Sequence, residues 1–128
     1  MSKVERFQDL NCWKVARELT RMVYFLSKSG PIRTDFNMRN QVRSAALSTM
    51  SNIAEGFRRM SDREFIRFLE VSTSSADEVC SITYAAEDQV YWTDDQVLQI
   101  RRLTEKVIAL NLGLIRYLLS KKKGKNPN

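Results

Sequence analysis

Residues 41–65, QVRSAALSTMSNIAEGFRRMSDREF, decide the fold, because a helical reading of them separates an apolar row from a polar one. Val42, Ala46, Thr49 or Met50, Ile53, Phe57 and Met60 recur every three or four residues, the spacing that stacks side chains on one helix face. This row belongs in a core. The opposite row is Gln41, Ser44, Ser48, Asn52, Glu55 and Arg59, and its short, uncharged centre suits a neighbouring helix at close range. Gly56 costs about 1 kcal/mol relative to Ala inside a helix, so its presence implies close backbone approach. Ser61 and Glu64 then have capping-box spacing, which satisfies orphan amides at a helix start. One helix stops near residue 60 and another begins at 62.

Working outward, the same periodicity predicts four helices, at about 10–29, 35–60, 62–90 and 94–120. The first turns Trp13, Ala16, Leu19 or Thr20, Val23 and Leu26 inward and ends at Ser29-Gly30-Pro31. The third carries Phe65, Phe68, Leu69, Ser72, Ala76, Val79, Thr83, Ala86 and Val90, with small residues at its centre. Thr93 and Gln96 repeat the capping-box pattern before the fourth. Short connections between long helices imply antiparallel neighbours, so the expected fold is all-α, an up-down-up-down four-helix bundle. With 128 residues there is room for one core and no second domain. Residues 1–120 are expected to form the bundle and 121–128 a basic, disordered C-terminal tail.

The fourth helix breaks the pattern of one apolar stripe. From Val107 to Leu119, VIALNLGLIRYLL is apolar nearly all round, with Asn111 and Arg116 as exceptions. A rim helix of one bundle buries only part of its circumference, so Ile108, Leu112, Ile115 and Leu119 are expected to form a subunit interface. The alternative is that the N-terminal segment around Phe7 and Leu10 covers them.

Enzymatic machinery is not evident. The chain has no histidine, the commonest general base near neutral pH, and no glycine-rich phosphate loop. Cys12 and Cys80 lack a CxxC partner, so they read as small buried thiols and not as metal ligands or a disulfide. The acidic pairs Asp77-Glu78, Glu87-Asp88 and Asp94-Asp95 read as solvated helix faces and helix starts. A non-enzyme without cofactor or metal is expected. The sequence shows neither an apolar run of membrane-spanning length nor a signal peptide, which predicts a cytoplasmic protein with no membrane partner. Asn52 and Glu55 lie one turn apart and are read as a structural polar network, with Arg43, Arg59 or a residue of another subunit as the cationic partner.

A formal net charge of +6 favours anionic partners through long-range attraction. Arg59, Arg63 and Arg67 recur every four residues, joined by Arg58, while Lys14, Arg17 and Arg21 line the first helix. Lys121, Lys122 and Lys123 add a third basic group. Such rows bind nucleic acid through summed electrostatics and counterion release. The competing reading is a solvated face with intrahelical pairs such as Lys14 to Glu18, or Arg63 and Arg67 to Glu64 and Glu70. Aromatic residues do not interleave with these arginines in the sequence as they would on a stacking platform, so little sequence selectivity by the bundle itself is expected.

Gln41, Arg43, Ala45-Ala46, Ser48, Asn52-Ile53-Ala54-Glu55-Gly56, Arg59, Ser61 and Glu64-Phe65 resemble the signature of a bacterial four-helix-bundle family. That family takes its name from proteins encoded in intervening sequences of 23S ribosomal RNA genes. The resemblance extends to Phe7, Asp9-Leu10 and Trp13 upstream and to Phe68-Leu69, Ser74-Ser75 and Glu78 downstream. It implies a ring-like homopentamer and a partner that is RNA or another nucleic acid. More distantly, the chain is similar to the accessory variability proteins of diversity-generating retroelements, which implies an adaptor that docks on a reverse transcriptase and helps handle its template RNA.

Overall fold

The computed structural model describes residues 4–125, and the side chains of residues 4–121. A short 3-10 turn, Phe7–Asp9, leads into α1 (Asn11–Ser27), and a second, Pro31–Thr34, leads into α2 (Phe36–Phe57). α3 (Asp62–Asp88) and α4 (Asp94–Lys125) complete a four-helix bundle. Each helix packs on the next and α4 closes on α1.

The helix ends follow from local chemistry. Gly30 takes φ 75°, which the turn before Pro31 requires. Asp35 accepts from the Met38 amide at 3.1 Å, and Ser61 Oγ from the Glu64 amide at 3.2 Å. Thr93 and Gln96 form the reciprocal box, 2.9 and 3.2 Å. α2 stops at Phe57, three residues before the expected end, and its last turn is closed by the Arg58 and Arg59 amides on the Glu55 and Gly56 carbonyls. Met60 therefore lies off the helix and is fully exposed, not a member of the core row.

α3 ends in a Schellman turn. The Tyr91 amide donates to Ala86 O and the Val90 amide to Glu87 O, both at 2.9 Å. This puts Val90, with φ 57°, at the left-handed position where glycine is usual. Val90 was expected to face inward; the reversal of the chain leaves it 81% exposed. α4 continues to Lys125, beyond the expected boundary at residue 120. Lysine is a good helix former, and no breaker intervenes before Gly124. Residues 126–128 of the expected tail lie outside the described residues.

The core contains Leu19, Val23, Val42, Ala46, Ile53, Leu69, Ala76, Val79, Ile100 and Val107, all fully buried. Ile32, Trp92 and Val97 close one end, and Leu10, Phe65 and Leu118 pack at the other. Trp13 is only partly buried, against the second of these groups. Gly56 confirms the close approach read from its position: a Cβ there would lie 2.6 Å from Phe68 Cβ.

A chain of hydrogen bonds crosses this core and touches all four helices. Thr20 Oγ1 and Thr49 Oγ1 both donate to Ala46 O, at 3.0 and 2.6 Å. Ser72 Oγ donates to Thr49 O at 2.7 Å, and Asn111 Nδ2 donates to Ser72 Oγ at 3.0 Å. Asn111 is thus fully buried, while Leu112 beside it is 42% exposed. Among the described residues, no helix is long and apolar enough to cross a membrane.

Candidate nucleic-acid interface

Alternating helix direction brings the start of α1, the end of α2, the start of α3 and the end of α4 to one end of the bundle. Lys14 and Arg17, Arg58 and Arg59, Arg63 and Arg67, and Lys121 therefore gather there from four different elements. Arg21 continues the α1 row one turn further along. All but Lys121 are exposed.

Three of the nearby cations are paired. Arg59 lies 3.9 Å from Glu55, Arg6 is 3.6 Å from Asp9, and Lys121 is 3.8 Å from Asp62. Lys121 thus ties α4 to the first turn of α3 and is not part of a detached tail. Lys122 and Lys123 lie outside the residues whose side chains are described. Among the described residues, Lys14, Arg17, Arg21, Arg58, Arg63 and Arg67 make no ion pair within 4 Å. The intrahelical pairs with Glu18, Glu64 and Glu70 do not form, which leaves six charges available to an external anion.

Aromatic rings and arginines that do not interleave along the chain meet in space. Arg17 lies over the Trp13 ring, 5.8 Å from its centroid. Trp13 meets Phe7 edge to face at 5.3 Å, and Arg58 covers Phe7 at 5.9 Å. Arg59 covers Phe68 at 4.7 Å. The α1 row and the α2–α3 junction are consequently joined by a continuous Arg17–Trp13–Phe7–Arg58 stack. Its members come from the N-terminal turn, α1 and the end of α2, so no run of sequence displays it. The only local trace is the Trp13-to-Arg17 spacing of one helical turn.

Arg43, Asn52 and Glu55 are not brought together. Arg43 Nε donates to Ser27 Oγ at 2.7 Å and its guanidinium lies 4.7 Å from the Tyr24 ring centroid, tying α2 to α1. Asn52 Nδ2 donates to Ser48 O and Ser48 Oγ, both at 2.9 Å, and Ser48 in turn meets Ser75 Oγ of α3 at 2.8 Å. Glu55 is exposed and, among the described residues, reaches only Arg59. The polar row of α2 meets α3 through Ser48, and the carboxylate falls past the edge of that contact.

The expected α4 interface divides in two. Ile108 and Ile115 are partly buried against the core group containing Leu10, with Phe7 packed on the same group. Leu112 and Leu119 remain 42% and 49% exposed. Inward-packed and exposed residues thus alternate along the row.

Other chemically distinctive groups serve packing. Burial pushes the Cys12 thiol up to about 11, and both cysteines are free. Arg101, which the sequence reading passed over, donates to Thr83 Oγ1 at 3.0 Å and Glu87 Oε1 at 3.1 Å while lying 3.7 Å from the Tyr84 ring centroid. Among the described residues, no three Cys, Asp or Glu side chains converge as metal ligands.

Comparison with known proteins agrees with this architecture. The family model described as 23S rRNA-intervening sequence protein matches residues 8–113. A solved structure of a protein with unknown function from the S23 ribosomal protein family of Bacteroides thetaiotaomicron superposes with a TM-score of 0.75. It shares 21% identity and covers 82% of this chain and 95% of its own, a likeness of fold. No curated protein matches the sequence.

Proposed function

Because this chain belongs to the 23S rRNA-intervening sequence protein family, we propose that it is a non-catalytic, homo-oligomeric protein that binds structured RNA through the basic end of its bundle. The observation that carries this reading is the placement of Lys14, Arg17, Arg58, Arg63 and Arg67, from two helices and a turn, at one end of the bundle, none of them in an ion pair within 4 Å among the described residues. Affinity arises from charge and counterion release. Self-association uses the exposed α4 face of Leu112 and Leu119, repeating the basic end around a ring-like homopentamer in the cytoplasm.

Binding of a hairpin RNA across a salt series tests this. Replacing Arg58, Arg59, Arg63 and Arg67 with Gln should weaken binding and lower the slope of log K against log salt by roughly 0.7–0.9 per lost contact. The fold should persist, since exposed charges contribute little to stability. Native protein that binds no RNA at low salt, or binding abolished only by removal of residues 122–128, would defeat the reading.

A second reading, an accessory adaptor that docks on a reverse transcriptase, is favoured by one feature. A groove of about 540 Å³ between α1 and α4 is lined by Met22, Phe25 and Leu103, with Phe25 69% exposed. Loss of reverse-transcriptase capture in Phe25→Glu, with RNA binding unchanged, would support it.

A further inference from the structure

Beside the Arg17–Trp13–Phe7–Arg58 stack lies a cleft of about 380 Å³, formed by the N-terminal turn and the first three turns of α1. Arg6, Gln8, Trp13, Lys14, Arg17, Glu18 and Arg21 line it. Four of these seven side chains are cationic and one is aromatic. We infer that this cleft takes one unpaired nucleotide of an RNA, with the base against the Trp13–Arg17 pair and the phosphates on Lys14 and Arg21. The inference rests on the RNA-binding reading and names what its basic end recognises beyond charge.

Three observations carry it. Trp13 is partly buried against Phe7 and the core group behind it, so a base that stacks there meets a surface already held in place. A tryptophan face and a guanidinium plane are the two protein surfaces on which splayed-out bases stack. The cleft falls in the size range of small-ligand sites, which suits a single nucleotide and excludes a duplex whose bases are already stacked on one another. Glu18, the one carboxylate in the lining, makes the cleft a poor site for a second strand of phosphates. Through Phe7 and Arg58 the cleft is continuous with the basic end, so an RNA helix lying on Arg58, Arg63 and Arg67 can place an adjoining loop or bulge nucleotide in it.

Tryptophan fluorescence reads this directly. The chain has two tryptophans, and Trp92 is 5% exposed and donates to Leu26 O at the far end of the bundle. Quenching by a ligand at the basic end therefore reports Trp13. Single-stranded decaadenylate should quench emission, whereas a blunt RNA duplex should bind without quenching. Trp13→Leu should weaken decaadenylate binding about 5- to 150-fold, the loss of one stacked base, and weaken duplex binding much less. Because Trp13 also packs on Phe7, the double variant Lys14→Gln/Arg17→Gln provides a check that keeps the ring in place. It should reduce quenching with circular dichroism unaltered. If decaadenylate and duplex bind equally and neither quenches, the cleft takes no base while the basic-end reading stands. If neither RNA binds at low salt, both fall. Equal quenching by a polyglutamate peptide would show that the cleft responds to charge alone and overturn the inference.

Discussion

Gly56 of α2 lies against Phe68 of α3 so closely that a Cβ on residue 56 would fall 2.6 Å from Phe68 Cβ, and 2.9 Å from Phe65 Cδ1. The α2–α3 crossing is set by the missing side chain. Phe68 Cβ is fixed to its own helix, so the contact cannot be relieved by rotating a flexible tip. Gly56→Ala gains about 1 kcal/mol of helix propensity but must push two helices apart, at a typical overpacking cost of 1–3 kcal/mol. Net destabilisation is expected, and a lower urea midpoint at unchanged m-value checks it. A raised midpoint would mean that the crossing has slack.

Val90 holds the left-handed position of a Schellman turn at φ 57°. That conformation costs a residue with a Cβ roughly 1–2 kcal/mol, and glycine recovers it less about 0.4–1 kcal/mol for its freer unfolded chain. Val90→Gly should raise the melting temperature by a few degrees. Because Val90 is exposed, no core contact is lost with it. A lower melting temperature would contradict the strain argument.

Asn111 is fully buried, and its Nδ2 has two hydroxyl partners while Oδ1 has none among the described residues. An unpaired buried acceptor costs about 1–3 kcal/mol. Asn111→Leu removes it, and Ser72 keeps its own acceptor at Thr49 O. Equal or greater stability is expected by thermal melting. A loss above about 3 kcal/mol would indicate that the amide is fully paired.

Leu112→Glu with Leu119→Glu tests assembly without attacking the core, because both side chains are exposed within one protomer. Ile115 is a poorer choice, since it packs on the Leu10 group. Charges introduced into a buried interface must be desolvated, so the double variant should sediment as a smaller, folded species. Unchanged mass by light scattering would remove α4 as the contact.

Cys12 links stability to alkaline pH. Its thiol is pushed from 9.0 to about 11 by burial, so the folded state binds the proton more tightly than the unfolded one. Stability from this group is fully present below pH 9 and is lost as pH rises through 11. The shift corresponds to roughly 2–3 kcal/mol. Cys12→Ala should flatten the fall in urea midpoint between pH 9 and 11. At pH 8, iodoacetamide should modify Cys80, which is only partly buried, well before Cys12.

The four helices and most of the core face of the first three could be read from the sequence alone, because both depend on local physics: a period of three to four apolar residues, Gly30-Pro31, and caps at Ser61 and Thr93. Gly56 was legible for the same reason, since a glycine within a helix carries a cost that only close packing explains. The tertiary structure decided the rest. On α4, with apolar residues nearly all round, periodicity could not choose a face, and the hydroxyls of Ser72 and Thr73 drew Asn111 inward and left Leu112 outside. On α2, a row of equal spacing gave Ser48 and Asn52 to the α3 contact and put Glu55 beyond its edge. The basic end was legible as separate basic rows, but not as one surface. Phe7, Trp13, Arg17 and Arg58 meet only because antiparallel packing returns the end of α2 to the start of α1, a proximity that no spacing along the chain encodes.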